Sequence, residues 1–195
     1  MKNRTATVTR RTRETDITLT LDLDGSGQAA INSGIGFLDH LLDALTLHAA
    51  WDLSLACTGD LQVDDHHTAE DCALALGQAF AQALGTRQGI VRFGAAFAPL
   101  DEALCRAVVD LAARPFCAVD LQLKREALGG LACENIEHFV HSLAMAGRFC
   151  CHLDLLKGRN DHHQAEAAFK ALALALRQAT GVTAGTGVPS TKGVL

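Results

Sequence analysis

A chain of 195 residues, 49% hydrophobic and 20% charged, has room for one well-buried core or two closely packed halves. It is composed as a globular protein, which excludes fibrous and intrinsically disordered classes. Its net charge of −5 with no clustered Lys/Arg run gives nucleic acid or an anionic membrane little to hold. No apolar run approaches the ~20 residues needed to cross a bilayer.

In chain order, the Arg-rich start RTATVTRRTR alternates Thr and Val and reads as a basic strand or arm. ITLTLDL (17–23) alternates as a half-buried strand, DGSG is a turn, and QAAINS (28–33) is the expected returning strand. Asp22-Leu23-Asp24-Gly25-Ser26 resembles the start of an aspartyl-phosphate phosphatase, but its place after an alternating strand favours a hairpin. GFLDHLLDALTLHA (36–49) has apolar spacing near 3.6, and DLSLAC (52–57) is a short strand. Asp64 or Asp65 is then expected to cap a helix that runs through DCALALGQAFAQALG and stops at Gly85. VRFGAAFAPL, LCRAVVDLA and FCAVDLQL read as strands, followed by a helix from Glu134 to about Ala146, the strand FCCHLDLL, and a helix from Asp161 to Thr180. Each half is therefore three strands, helix, strand, helix. The fold class expected is α+β, a duplicated βββαβα unit with sheets outside and helices packed between the halves. The divisions expected are 1–90, 91–184 and a tail at 185–195, within one compact domain. Seven cysteines (Cys57, Cys72, Cys105, Cys117, Cys133, Cys150 and Cys151) without a C-x-x-C are expected to be reduced, mostly buried thiols of a cytoplasmic protein.

The duplication is explicit in one phrase. DDHHTAED (64–71) and NDHHQAEA (160–167) place Asp65 and Asp161, His66 and His162, and Glu70 and Glu166 all 96 positions apart, and Gly85 and Gly181 follow at the same offset. LDHLLDAL and IEHFVHSL align His40 with His138 at an offset of 98, a slip of two residues that a loop absorbs. His and Glu four apart lie on one helix face about 6 Å apart and can hold one ion together. The adjacent His67 and His163 are rotated about 100° around the helix and should face a second site. With His40 and His138 added, eight donors suffice for two sites of three imidazoles and one carboxylate, a set suited to Mn, Fe or Zn. Arg92, Arg114 and the tail residues Ser190 and Lys192 are of the kind that hold a phosphate monoester. His48, His141 and His152 are read as structural.

FLDHLLDAL, GDLQVDDHHTAEDCALALG, RFGAAFAPLDEAL, RPF, EHFVHSLA, NDHHQAEAAFKALALALRQAT and PSTKGVL span nearly the whole chain and resemble the imidazoleglycerol-phosphate dehydratase family. The resemblance implies a fold of the ribosomal-S5-domain-2-like type and two Mn2+ per subunit, at subunit interfaces of a 24-subunit assembly built from trimers. It implies His40, His67, His162 and Glu166 as ligands of one metal, and His66, Glu70, His138 and His163 as ligands of the other. Glu14 is implied as the acid/base group, with Glu166 and Asp101 as reserves, and Arg92, Arg114, Ser190 and Lys192 match the phosphate anchors. Ala44 stands where family members commonly have Gln, so one polar contact to substrate is in question.

The implied reaction is loss of water from imidazole-glycerol phosphate to give imidazole-acetol phosphate. The C2 proton lies next to no carbonyl, so a direct base is insufficient. Charge stabilised on the imidazole would expel the C3 hydroxyl through a diazafulvene, after which C2 is acidic enough for a carboxylate to deprotonate. A dinuclear metallohydrolase would use a similar His/Glu set, and a metal-storing assembly is a non-enzyme rival, although storage bundles use long helices rather than strand-rich halves.

Overall fold

The structure is a computed structural model that describes residues 4–185 and 187–193. Residue 186 and the last two positions of the tail lie outside the described residues. Strands β1 (Thr5–Arg11), β2 (Thr15–Asp22) and β3 (Ala29–Asn32) lead to helix α1 (Gly36–Ala49), strand β4 (Asp52–Gly59) and helix α2 (His66–Leu84). The second half repeats that order with β5 (Phe93–Leu100), β6 (Ala103–Asp110), β7 (Phe116–Asp120), α3 (Cys133–Gly147), β10 (Cys150–Lys157) and α4 (Asp161–Thr180). A two-residue hairpin, β8 (Ala127–Leu128) with β9 (Leu131–Ala132), interrupts only this half.

The sheets have the same topology, β1-β2-β4-β3 and β5-β6-β10-β7, antiparallel except for the last pair in each. The chain is thus an α+β duplication of a βββαβα unit. Alternation explains the sheets' sidedness: Ile17, Leu19 and Leu21 on β2 and Leu53 and Leu55 on β4 are buried, while Thr18, Ser54 and Ala56 are exposed. The apolar faces meet the helices, with α2 over β1 and β2 and α4 over β5 and β6. The halves join helix to helix, α2 against α3 and α1 against α4. Close approach at the first pair requires a glycine, since a Cβ on Gly77 would stand 2.7 Å from both the Gly147 nitrogen and the Leu143 carbonyl. Trp51, Phe80 and Phe149 pack at the same seam in tilted and edge-to-face contacts, with centroids 5.5 and 5.4 Å apart, where truncation of one ring costs about 3–5 kcal/mol. The buried Arg87 guanidinium donates to the carbonyls of Leu111, Gly147 and Arg148, two of them at the end of α3.

One expectation is corrected. The strand after DGSG does not return beside β2, because β4 takes that place and β3 pairs with β4 in parallel. The reason is local: Asp52 at the start of β4 accepts from the Ser26 and Gln28 backbone N–H groups, and Gly27 donates to Trp51 O. The turn is drawn across the end of β4 instead of folding back on β2. The hairpin β8–β9 was also not anticipated, since two-residue strands carry no period. All seven cysteines are free, with Cys72, Cys105, Cys133 and Cys151 buried. No helix among the described residues is long and apolar enough to cross a membrane.

Candidate metal centres

Both His-His phrases open a helix. Asp64 Oδ1 accepts from His66 N at 2.9 Å, and Asn160 Oδ1 accepts from His162 N at 3.0 Å. Each satisfies a donor that the first turn leaves unpaired. Of the two predicted caps, Asp64 performs the role, while Asp65 turns away to accept from Ala132 N at 2.7 Å.

Two three-residue groups then converge. In the first, His66 and Glu70 on α2 meet His138 on α3; in the second, His162 and Glu166 on α4 meet His40 on α1. Within each group one donor atom per residue lies within 4.8 Å of the others. His138 Nε2 is 3.1 Å and His66 Nε2 3.9 Å from the Glu70 carboxylate. His40 Nε2 and His162 Nε2 are 3.0 and 3.3 Å from Glu166 Oε2. Two imidazole nitrogens aimed at one carboxylate form a donor set that one divalent cation with nitrogen and oxygen preference fits.

His67 and His163 join neither group. His67 Nδ1 pairs with Asp60 at 3.0 Å and its Nε2 lies 3.7 Å from Glu14. His163 Nδ1 pairs with Glu102 at 2.8 Å and its Nε2 lies 3.8 Å from Asp101. The rotation expected between adjacent histidines is therefore present, and the opposite group of the same chain does not receive them. A carboxylate on Nδ1 leaves Nε2 outward and basic, the arrangement typical of a ligating histidine. The Asp60 hydrogen bond first, with Glu14 adding charge, raises the His67 pKa; Glu102 does the same for His163. In return the His163 hydrogen bond, helped by the Asn160 and Arg159 backbone N–H groups, holds the Glu102 carboxyl at about 2. Burial would push the Glu166 carboxyl up, but Lys170, whose Nζ is 2.6 Å from Oε1, and then His40 outweigh it and bring it to about 2.

Of the expected phosphate anchors, Arg92 is already engaged, with Asp110 at 2.7 Å and the Pro189 carbonyl at 2.7 Å. That second bond draws the tail onto the second half. Ser190 Oγ accepts from Lys192 N at 3.2 Å. Arg114 is exposed and has no polar partner among the described residues. Ala44 is buried on the inner face of α1.

Five residues close to these groups were not singled out from the sequence. Asn135 Oδ1 accepts from His66 Nδ1 at 2.9 Å, and the Phe37 ring meets the His162 ring with centroids 5.1 Å apart. Asp60, Glu102 and Lys170 complete the list. Lys170 was readable, standing four residues after Glu166 on one helix. Glu102 follows from aligning β2 with β6, whose starts at Thr15 and Ala103 put Glu102 opposite Glu14.

A family model described as imidazoleglycerol-phosphate dehydratase matches residues 33–176. The chain belongs to the imidazoleglycerol-phosphate dehydratase family. A dehydratase of that name from Neurospora crassa is 54% identical, aligned over 98% of this chain and 96% of the relative. One from Phytophthora nicotianae is 57% identical, and the chain spans 42% of that longer protein. The crystal structure of the Pyrococcus furiosus enzyme superposes with a TM-score of 0.83 at 37% identity, covering 96% of this chain and all of that one. Membership of this dehydratase family makes the chain a hydro-lyase, an enzyme that removes water by breaking a carbon–oxygen bond.

Proposed function

We propose that the chain dehydrates D-erythro-imidazole-glycerol phosphate to imidazole-acetol phosphate with two divalent cations per subunit, Mn2+ foremost, in the cytoplasm. The observation that carries the metal requirement is the pair of matched groups, His66/Glu70/His138 and His40/His162/Glu166, each with nitrogens and a carboxylate turned to one point. Two such cations would supply Lewis-acid stabilisation of negative charge on the substrate's imidazole ring. Each group offers three donors and leaves a position for a fourth. We assign His67 of another copy to the His40/His162/Glu166 group and His163 of another copy to the His66/Glu70/His138 group. Self-association, in trimers and a 24-subunit shell, would then complete the sites.

Within the chain's own residues, Glu14 is the proton shuttle at C2. It is half-exposed on the β1–β2 turn, beside His67 Nε2, so its carboxylate would sit next to a ligating ring and reach the substrate. Glu166 is the poorer choice because Lys170 and His40 hold it ionised as a ligand. Asp101 is the matching exposed carboxylate beside His163 Nε2. Arg92, Arg114, Ser190 and Lys192 would hold the phosphate, and binding requires Arg92 to share its guanidinium with the tail it already draws in.

The test is metal analysis together with a dehydration assay on wild type, His66→Ala and Glu14→Gln. His66→Ala should lose bound metal and activity together. Glu14→Gln should keep both cations and lose about 100-fold or more in turnover, as expected for a general acid/base. Full activity of metal-free wild type would end the metal reading, and unchanged turnover in Glu14→Gln would remove Glu14 from the reaction.

A further inference from the structure

The duplication is broken at one place. Between β3 and α1 the first half has three residues, 33–35, whereas between β7 and α3 the second half has twelve, 121–132. The added segment reaches both His-His phrases. On one side the Lys124 and Arg125 backbone N–H groups donate to Asp161 Oδ2 at 2.8 and 2.6 Å, and Gln164 Nε2 donates to Leu121 O at 3.0 Å. On the other, Ala132 N donates to Asp65 Oδ2 at 2.7 Å, and α3 begins at the next residue and carries Asn135 to His66 and His138 to Glu70. The hairpin turn also lies on Phe37, since a Cβ on Gly129 would stand 3.4 Å from the Phe37 Cβ. Phe37 in turn packs on His162 and His40.

Asp65 and Asp161 are the duplicated residues immediately before each His-His pair, yet neither caps its own helix. Asp161 is 4% exposed, and among the described residues its carboxylate accepts from the inserted segment alone. Gln122, Arg125 and Glu126 are exposed over an open cavity of about 620 Å3, and Lys124 is exposed beside them. Leu121, Leu128 and Leu131 anchor the segment in the core, and the backbone bonds to Asp161 and Asp65 fix its exposed stretch and its end against the two helix starts.

We propose that residues 121–132 form a strap coupling the two half-sites, with Asp65 and Asp161 as positioning residues. Each carboxylate ties one His-His helix start to the same short segment, so displacement at one phrase is transmitted to the other. The first half's three-residue link cannot do this, so the coupling is a property of the insertion. The consequence for cation binding rests on the metal reading above; the mechanical coupling does not.

Two readouts separate these. In the metal-free full chain, backbone hydrogen exchange is measured for Asp65→Ala and Asp161→Ala, with Asp161→Asn as the isosteric variant should the alanine fail to fold. Loss of Asp65 should speed exchange at Ala132, which loses its charged acceptor, by about tenfold or more, and, through the segment, at Lys124 and Arg125 on the far side severalfold; loss of Asp161 should do the converse. Far-side amides exchanging at the wild-type rate would overturn the strap. Second, Mn2+ affinity is read by electron paramagnetic resonance of the free ion, with the near group disabled. Asp65→Ala in a His138→Ala background should weaken binding at the His40/His162/Glu166 group severalfold, and Asp161→Ala in a His40→Ala background should weaken the opposite group. Far-side affinity unchanged while far-side exchange quickens would overturn the positioning role. Absence of Mn2+ binding in wild type would remove the metal reading alone, and hydrogen exchange would still decide the coupling.

Discussion

The His66/Glu70/His138 group and the His40/His162/Glu166 group descend from one pattern, yet different chemistry supports them. Position for position, Asn135 orients His66 by a hydrogen bond where Phe37 shapes His162 by ring contact. Glu166 is clamped by Lys170, while the residue four places after Glu70 is Leu74. His67 takes its carboxylate from the β4–α2 loop through Asp60, and His163 takes its own from the β5–β6 turn through Glu102. Duplication copied the donors and the topology, and the supporting shell diverged around them. Under the proposed metal reading, two copies with different supports would differ in cation affinity and pH dependence, which a fully symmetric pair would not.

The largest break in that comparison should come from Asn135→Ala. Removing the partner of a ligating imidazole typically costs 10–100-fold in metal affinity, so the His66/Glu70/His138 group should weaken by about that much in a Mn2+ titration. Phe37→Ala removes no hydrogen bond and should cost the other group less than about tenfold. Equal losses would mean that the two supports are interchangeable.

Lys170→Met should have an intermediate, pH-dependent effect. The Glu166 carboxyl is held at about 2, below its ordinary 4.5, against the opposing pull of burial. Without the ammonium only His40 opposes burial and the carboxyl moves up from about 2, so the acid limb of Mn2+ binding at this group should shift to higher pH. The group built on Glu70 should keep its acid limb, and movement of both would show that the lysine acts on the whole molecule.

The smallest effect concerns the exposed Glu102–His163 pair in metal-free protein. Glu102 is lowered from 4.5 to about 2, so its contribution is present above 4.5 and lost as pH falls through 2. His163 is raised above 6.5, so its contribution is present below 6.5 and lost as pH rises through the raised value. The pair therefore stabilises most between 4.5 and 6.5. Thermal denaturation of Glu102→Gln should fall below wild type in that window by about a degree or two, and the gap should narrow at alkaline pH, where the His163 part of the contribution is lost. A constant offset at all pH values would assign the loss to packing.

Much of this was legible in the chain. Helix α1 at Gly36–Ala49 and α4 at Asp161–Thr180 coincide with their periodic segments, because a sustained 3.6 period is a local signal, to which α4 adds the polar cap Asn160. The two His-x-x-x-Glu faces were legible for the same reason. The side of the sheet on which β3 lies was not, since four residues of alternation do not say which neighbour they pair with. Asp60, Glu102 and Asn135 stand 7, 61 and 69 positions from the histidines they support, and no spacing rule reaches across separate elements.

By itself, then, the sequence determined the helix faces and the donor chemistry, consequences of periods shorter than a dozen residues, and the repeat, which a constant offset of 96 residues makes explicit. Tertiary structure alone decided that α2 meets α3 and α1 meets α4, which histidines share a carboxylate, and that one inserted segment touches both phrases. Those outcomes depend on which apolar faces are buried together, and burial is settled by the whole chain at once.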